Sequence, residues 1–228
     1  MNSMIYERTQ RLIGEHAMHD LMKKKVVIIG LGGVGSYVLE AFARAGIGHL
    51  VVADFERIEE SNINRQILAL HSTIGMFKTQ TAYDRVKDIN PNIQVYTHNM
   101  FVTKDNIKDI IPLDADYVID AIDTVQSKID IIRFAKNNGI NVISCMGTGN
   151  KIDNTGFKIT KIDKTDTCPL ARKIRKILVS EGMSDVDVLY SSCNNYVKDT
   201  EIISSISYVP STAGLLIAGY VIRKMISN

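Results

Sequence analysis

Apolar positions along the chain fall into two alternating textures. Short β-branched runs, Val26 to Ile29, His49 to Ala53, Ile93 to Thr97, Tyr117 to Ile122 and Asn141 to Cys145, are bounded by glycine or polar turns and read as buried strands. Between them the apolar residues recur at helical spacing. Val38, Leu39, Phe42 and Ala45 precede Gly46 and Gly48, and Lys78 to Ile89 is stopped by Pro91. A short helix capped by Thr103 follows, and Val125 to Asn138 is ended by Gly139. Strand and helix alternate, which predicts an α/β fold of Rossmann-like type with a doubly wound, mostly parallel sheet.

After Gly149 the texture changes. Gly156 to Asp163 reads as a strand, and a helix after Pro169 puts Leu170, Ile174, Ile177 and Leu178 on one face and Arg172, Lys173, Arg175 and Lys176 on the other. Val186 to Tyr190 is a further strand, Ser191 to Asp199 is polar enough for a mobile crossover loop, and a final helix starts near Pro210 and Ser211. No repeat or low-complexity linker divides the chain. The expected organisation is one domain, 1–228, with an N-terminal arm (1–25), a nucleotide-binding core (26–149) and a substrate-side extension with crossover loop and closing helix (150–228). The apolar stretch in the last helix is too short for a membrane span.

With 228 residues, 45% hydrophobic and 23% charged, the chain can bury a core without disulfides or a structural metal. Its three cysteines, Cys145, Cys168 and Cys193, are widely spaced and form no C-x-x-C pair, which argues for a reducing compartment and against zinc. No basic segment followed by an apolar run opens the chain, so the expected location is the cytoplasm. The formal charge of +2 excludes a polyanion trap over the whole surface, so any nucleic-acid contact must be local. Residues 151–180 offer one. Lys151, Lys158, Lys161, Lys164, Arg172, Lys173, Arg175 and Lys176 stand against Asp153, Asp163 and Asp166, a local +5 that leaves −3 on the remainder.

The chemistry begins at Gly30-x-Gly32-x-x-Gly35, which follows a strand and opens a helix, so that backbone N–H groups can approach an anionic phosphate. Asp54 ends the next strand, where a carboxylate can accept from ribose hydroxyls. The default ligand of this fingerprint is a nicotinamide dinucleotide. Ser61-Asn62-Ile63-Asn64-Arg65-Gln66 and Lys78, however, place two cations beyond the ribose carboxylate, which suits a triphosphate better than a pyrophosphate. Either cation taken alone reads as solvated loop or helix surface. In Val118-Ile119-Asp120-Ala121-Ile122-Asp123, Asp123 lies at the ligand-binding edge and is placed to hold Mg²⁺, while Asp120 is given a structural role.

These residues resemble the MoeB/ThiF and ubiquitin-activating-enzyme superfamily of ATP-dependent adenylyltransferases. The resemblance rests on Gly30 to Ser36, Asp54-Phe55-Glu56, Asn62 to Gln66, Gly75 with Lys78, Ile89-Asn90-Pro91 and Asp120 to Asp123. It implies a site for ATP and Mg²⁺ built from Gly30, Gly32, Gly33, Gly35, Ser36, Asp54, Glu56, Asn62, Arg65, Gln66, Lys78 and Asp123. Tyr6-Glu7-Arg8-Thr9 with Leu12-Ile13-Gly14 is similar to the family's arm, whose arginine reaches the ATP of the other subunit. The resemblance therefore implies a homodimer with Arg8, Arg65, Lys78 and Asp123 as the catalytic set.

Within the superfamily the sequence is most similar to the tRNA threonylcarbamoyladenosine dehydratases. The passages are Gly33 to Ser36 with Ala43 to Gly48, Asn64 to Leu70, Val118 to Asp123, Pro169 to Lys173, and the closing Tyr208 to Leu215. The missing C-x-x-C pairs fit this branch. The implied reaction is ATP-dependent cyclisation of N6-threonylcarbamoyladenosine at position 37 of tRNA through an acyl-adenylate. Three rivals stand beside it: activation of the C-terminal Gly-Gly of a ubiquitin-like sulfur carrier, nicotinamide-dependent oxidoreduction, and a noncatalytic ATP-binding subunit. The resemblance leaves open a monovalent cation (Na⁺ or K⁺) and a cysteine-desulfurase or sulfur-transfer partner. Two departures fall in the crossover region. Cys193 stands where an acidic residue is expected, and the stretch before Tyr208 lacks a glycine.

Overall fold

Successive residues of a strand point to opposite faces, and in the central strands both sets are apolar, so each such strand must be covered on both sides. In the computed structural model, which describes residues 4–197 and 203–227, β1 (Lys25–Ile29) divides in this way. Val26 and Ile28 enter one core and Val27 and Ile29 the other. The remaining strands are β2 (His49–Ala53), β3 (Gln94–His98), β4 (Tyr117–Asp120), β5 (Asn141–Cys145), β6 (Phe157–Lys161) and β7 (Asp187–Ser191). They form one seven-stranded sheet in the order β3-β2-β1-β4-β5-β7-β6. All neighbours are parallel except β6, which pairs antiparallel with β7 at one edge.

The chain runs outward from β1 to β2 and β3, then returns to lay β4 on the other side of β1. The crevice where the winding reverses lies beyond the carboxyl ends of β1 and β4, the place where open α/β sheets bind ligands. One face carries α3 (Gly35–Ala45), α4 (Lys78–Ile89) and α8 (Tyr208–Ile226), and the other α5 (Ile107–Ile110), α6 (Val125–Asn137) and α7 (Pro169–Ser180). α1 (Glu7–Ile13) and α2 (Glu15–Leu21) precede β1. The arm is tied down by buried Tyr6, whose hydroxyl donates to Ala43 O at 3.0 Å and accepts from Asn90 Nδ2 at 2.8 Å. No helix among the described residues is long and apolar enough to cross a membrane.

Most expected elements lie within one or two residues of their predicted bounds. β3 is shifted one residue toward the C-terminus because its pairing with β2, Gln94 opposite His49, sets the register of a half-exposed edge strand. Thr103 does not cap α5 with its side chain. The N-cap is Asn106, whose Oδ1 instead accepts from the Thr103 N–H at 2.8 Å. The strand expected over 156–163 ends at Lys161 in a 3₁₀ turn. Ser191, expected at the start of the mobile loop, is the buried last residue of β7, while Lys198 and Asp199 of that loop lie outside the described residues.

Candidate active site

The turn from β1 into α3 owes its glycines to two different demands. Gly30 has φ +91°, and a Cβ there would sit 2.8 Å from Ala121 O; a Cβ on Gly35 would fall 1.7 Å from Gly30 O. Gly33 lies under Pro210 of α8, whose Cβ would be 3.0 Å from any Cβ added to the glycine. Those three are dictated by how the turn folds and packs. Gly32 differs, because a Cβ there would meet only Gln66 Nε2, at 3.9 Å, so this peptide is open toward Gln66. Among the described residues, the N–H groups of Gly32, Gly33, Val34 and Gly35 have no acceptor, as expected at a helix N-terminus shaped for an anion.

Ser36 is the second residue of α3, behind the glycine turn. It is fully buried and its hydroxyl donates to Gly32 O at 2.6 Å, so it braces the turn from behind. Asp54 is also largely occupied. Its Oδ2 accepts from Leu31 N–H at 2.7 Å and its Oδ1 from Glu56 N–H at 2.8 Å. Burial pushes its carboxyl above the usual range, with the Lys78 charge and these two N–H donors opposing. Each oxygen keeps one lone-pair direction beside the turn.

Lys78 opens α4 but is not the solvated surface cation that its position suggests. It is 2% exposed, its ammonium pairs with half-exposed Glu56, and its own N–H donates to Glu56 O at 3.1 Å. The structure thus brings Asp54, Glu56 and Lys78 together. Arg65 is half-buried along Gly33, with Nη1 donating to Ser61 O and Asn64 Oδ1, both at 2.8 Å. Asn62 turns inward, where its Oδ1 accepts from Glu59 N–H at 3.2 Å in a capping box that shapes the loop. Gln66 is 6% exposed and its Oε1 has no hydrogen-bond partner, an orphan acceptor beside the open face of Gly32. Such a group is costly unless something else donates to it.

Across the crevice the turn after β4 is held by a buried network. Asp120 and Lys128 are both fully buried at 3.0 Å; Ser144 Oγ donates to Asp120 Oδ2 at 2.5 Å, and Lys128 Nζ also donates to Ile122 O at 2.8 Å. Asp120 is structural, as expected. Its cation is not evident from a motif, although Lys128 occupies a helix position in register with Val125, Ile129 and Ile132, where only an apolar or a paired residue can sit. Asp123 is exposed past this turn. No group of three metal-binding side chains occurs among the described residues, so a metal here would be held by Asp123 together with phosphate oxygens, as Mg²⁺ commonly is. Sequence reasoning also missed an aromatic pair. Phe55 and Phe101 project from the ends of β2 and β3, half exposed, in edge-to-face contact at 5.1 Å. Its signal was an aromatic residue directly after Asp54 in an otherwise polar turn.

The ThiF family model matches residues 6–228. The chain belongs to the ThiF family. A tRNA threonylcarbamoyladenosine dehydratase of Bacillus subtilis (strain 168) is 34% identical over 241 aligned positions, spanning 98% of this chain and 95% of that one. The crystal structure of the Escherichia coli tRNA N6-threonylcarbamoyladenosine dehydratase in complex with AMP superposes with a TM-score of 0.92 at 32% identity, covering 100% of this chain and 97% of that one. The same enzyme in complex with ATP gives 0.91 at 33%, covering 97% and 93%.

Two further regions of this ThiF-family protein bear on its surface. Arg8 lies exposed on α1 beside exposed Met4, Ile5 and Leu12. The basic cluster of 151–180 is thinner in space than in sequence. Lys161 pairs with Asp187 at 2.7 Å, Arg175 donates to Thr165 O, and Lys151 donates to Cys193 O at 2.7 Å. Lys158, Lys164, Arg172, Lys173 and Lys176 remain exposed. Cys145 is core, its thiol pushed up to about 12 by burial, and Cys168 is buried at the start of α7. Cys193 is half-buried, with its Sγ 3.4 Å from Asp153 Oδ2.

Proposed function

We propose that this protein is an ATP-dependent tRNA threonylcarbamoyladenosine dehydratase, acting as a cytoplasmic homodimer. The observation that carries this reading is a similarity extending over the whole chain, closing helix included, to dehydratases of that name. A glycine turn alone would point only to a nucleotide.

ATP fits the residues present. The open peptide at Gly32, the unpaired N–H groups and the orphan Gln66 Oε1 together form a polar cradle for phosphates and base or sugar N–H and O–H groups. Asp54 takes the ribose, and the Phe55–Phe101 pair beyond it offers the apolar wall a purine needs. Arg65 serves the phosphates, and Lys78 adds its charge once a phosphate oxygen takes the place of its Glu56 partner. Asp123 would hold Mg²⁺, which supplies charge neutralisation at the phosphates. Arg8 comes from the partner subunit; the exposed apolar side chains around it support burial of the arm in a dimer.

The threonyl carboxylate of the modified adenosine attacks the α-phosphorus of ATP, pyrophosphate leaves, and a mixed anhydride with AMP forms. A neighbouring nitrogen or oxygen of the same nucleoside then displaces AMP and closes a ring. Because nucleophile and electrophile are in one molecule, proximity replaces an enzyme nucleophile. The chain's cations stabilise charge that builds on the phosphates. The five exposed basic residues of the β6–α7 region supply local contacts to the tRNA backbone.

Pyrophosphate release from ATP tests the reading. Release that requires tRNA carrying threonylcarbamoyladenosine, and that yields the cyclised nucleoside, is expected. Release that ignores tRNA and requires a Gly-Gly carrier protein would overturn it.

A further inference from the structure

Asn150 is the one non-glycine residue with a positive φ, 58°, among the described residues. That conformation costs most side chains strain, and it recurs where a function depends on it. Its backbone N–H and carbonyl and its side-chain oxygen bond the two flanks of the crossover. Its N–H donates to Ser204 O at 2.8 Å, its carbonyl accepts from Tyr196 N–H at 2.7 Å, and its Oδ1 accepts from Ser204 N–H at 2.7 Å.

The strap formed by residues 203–207 then runs toward the nucleotide loops. Ile203 lies so close over Gly149 that a Cβ there would be 2.2 Å from it. Asn64, next to Arg65, donates from Nδ2 to Ser205 O at 3.1 Å. Tyr208 Oη donates to Ile152 O at 2.9 Å, and Pro210 reaches Gly33. One uncharged strap, Ile-Ser-Ser-Ile-Ser, therefore joins the turn after β5 to the phosphate turn, presenting Ile203 and Ile206 to solvent. Its anchor at the β5 end is Asn150, and its anchor at the phosphate end is Asn64.

We propose that Asn150 is a positioning residue: its side-chain amide holds the strap as the wall against which the modified nucleoside of tRNA is placed beside the adenylate. This rests on the function proposed above. The residue type suits the task, because asparagine tolerates the left-handed conformation and brings an acceptor that glycine lacks.

Asn150→Gly keeps the backbone conformation at little strain and removes only the side-chain amide, whereas Asn150→Asp keeps both the tolerance and the acceptor. For Asn150→Gly the KM for modified tRNA is expected to rise about fivefold to tenfold, the factor one hydrogen bond supplies. The KM for ATP should stay within about twofold, and amide exchange over 203–207 should accelerate. Asn150→Asp should restore the KM for tRNA and the exchange rate. An Asn150→Gly protein with wild-type KM for tRNA and wild-type exchange would overturn the assignment. So would equal losses in both KM values, which would mark a merely structural residue. The two failures are separable: a wild type whose pyrophosphate release ignores tRNA removes the function itself, whereas a tRNA-dependent wild type with an unaffected glycine variant removes Asn150 alone.

Discussion

Lys128→Met isolates the buried pair behind the Asp123 turn. Both partners are fully excluded from water, and the ammonium serves Asp120 at 3.0 Å and Ile122 O at 2.8 Å. Methionine preserves the bulk of the stem and removes the charge, leaving the buried Asp120 carboxyl without its cation and with only the Ser144 hydroxyl and a long Ile122 N–H contact of 3.3 Å. Removing one member of a buried pair costs about 3–5 kcal/mol. Set against a typical stability of about 5–15 kcal/mol for a domain, that is a large fraction of the whole. The double variant Asp120→Asn with Lys128→Met buries no charge and keeps an acceptor for Ile122 N–H, so it should recover most of the loss. Urea denaturation, with m-values compared to confirm a common unfolding transition, reads both. A single variant within about 1 kcal/mol of wild type, or a double variant no more stable than the single, would refute the claim that uncompensated buried charge dominates here.

Other consequences follow from the same geometry. Arg65→Ala loses two local hydrogen bonds at a half-buried loop and should fold normally while pyrophosphate release falls by about 10²–10³, as loss of a transition-state donor does; retention of more than a tenth of the rate would remove Arg65 from the site. Lys78→Ala is the less clean experiment, because this lysine is 2% exposed and its truncation should lower the melting temperature as well as the rate. Gly35→Ala would thrust a methyl to 1.7 Å from Gly30 O and should abolish nucleotide binding in equilibrium dialysis. Burial pushes the Glu40 carboxyl up, but the hydrogen bonds and charges of Arg85 and Arg44 outweigh it and leave it below its ordinary 4.5. Its contribution is therefore complete above about pH 4.5 and is lost as pH falls through the folded value, so Glu40→Gln should be less stable at pH 7 and show a shallower acid limb. Under native conditions a thiol reagent should label Cys193 alone, with Cys145 and Cys168 reacting only on unfolding.

What could be read from the chain and what could not differ by range of interaction. His49–Ala53, Lys78–Ile89 and Asn141–Cys145 have the bounds their local patterns predict, because periodicity, proline and glycine act over a few residues. The site's neighbourhood was equally legible. A glycine turn after a strand and an acid after the next strand must meet at one sheet edge once the strands are parallel neighbours.

The roles within that neighbourhood were decided by tertiary contacts. Which glycine is open to a ligand depends on Gln66, Ala121 and Pro210, residues far from the turn in sequence. Ser36, Asn62 and Lys78 all read as ligand groups in sequence, yet in the fold Ser36 and Asn62 bond within their own turns and Lys78 is buried against Glu56. Lys128 and Asn150 carried no motif because their meaning lies in partners that folding brings to them. The sequence by itself determined the strand–helix alternation, the nucleotide edge and the family. Only the packed structure decided which polar groups are already satisfied, and the unsatisfied ones are those whose pairing with a ligand still lowers the free energy.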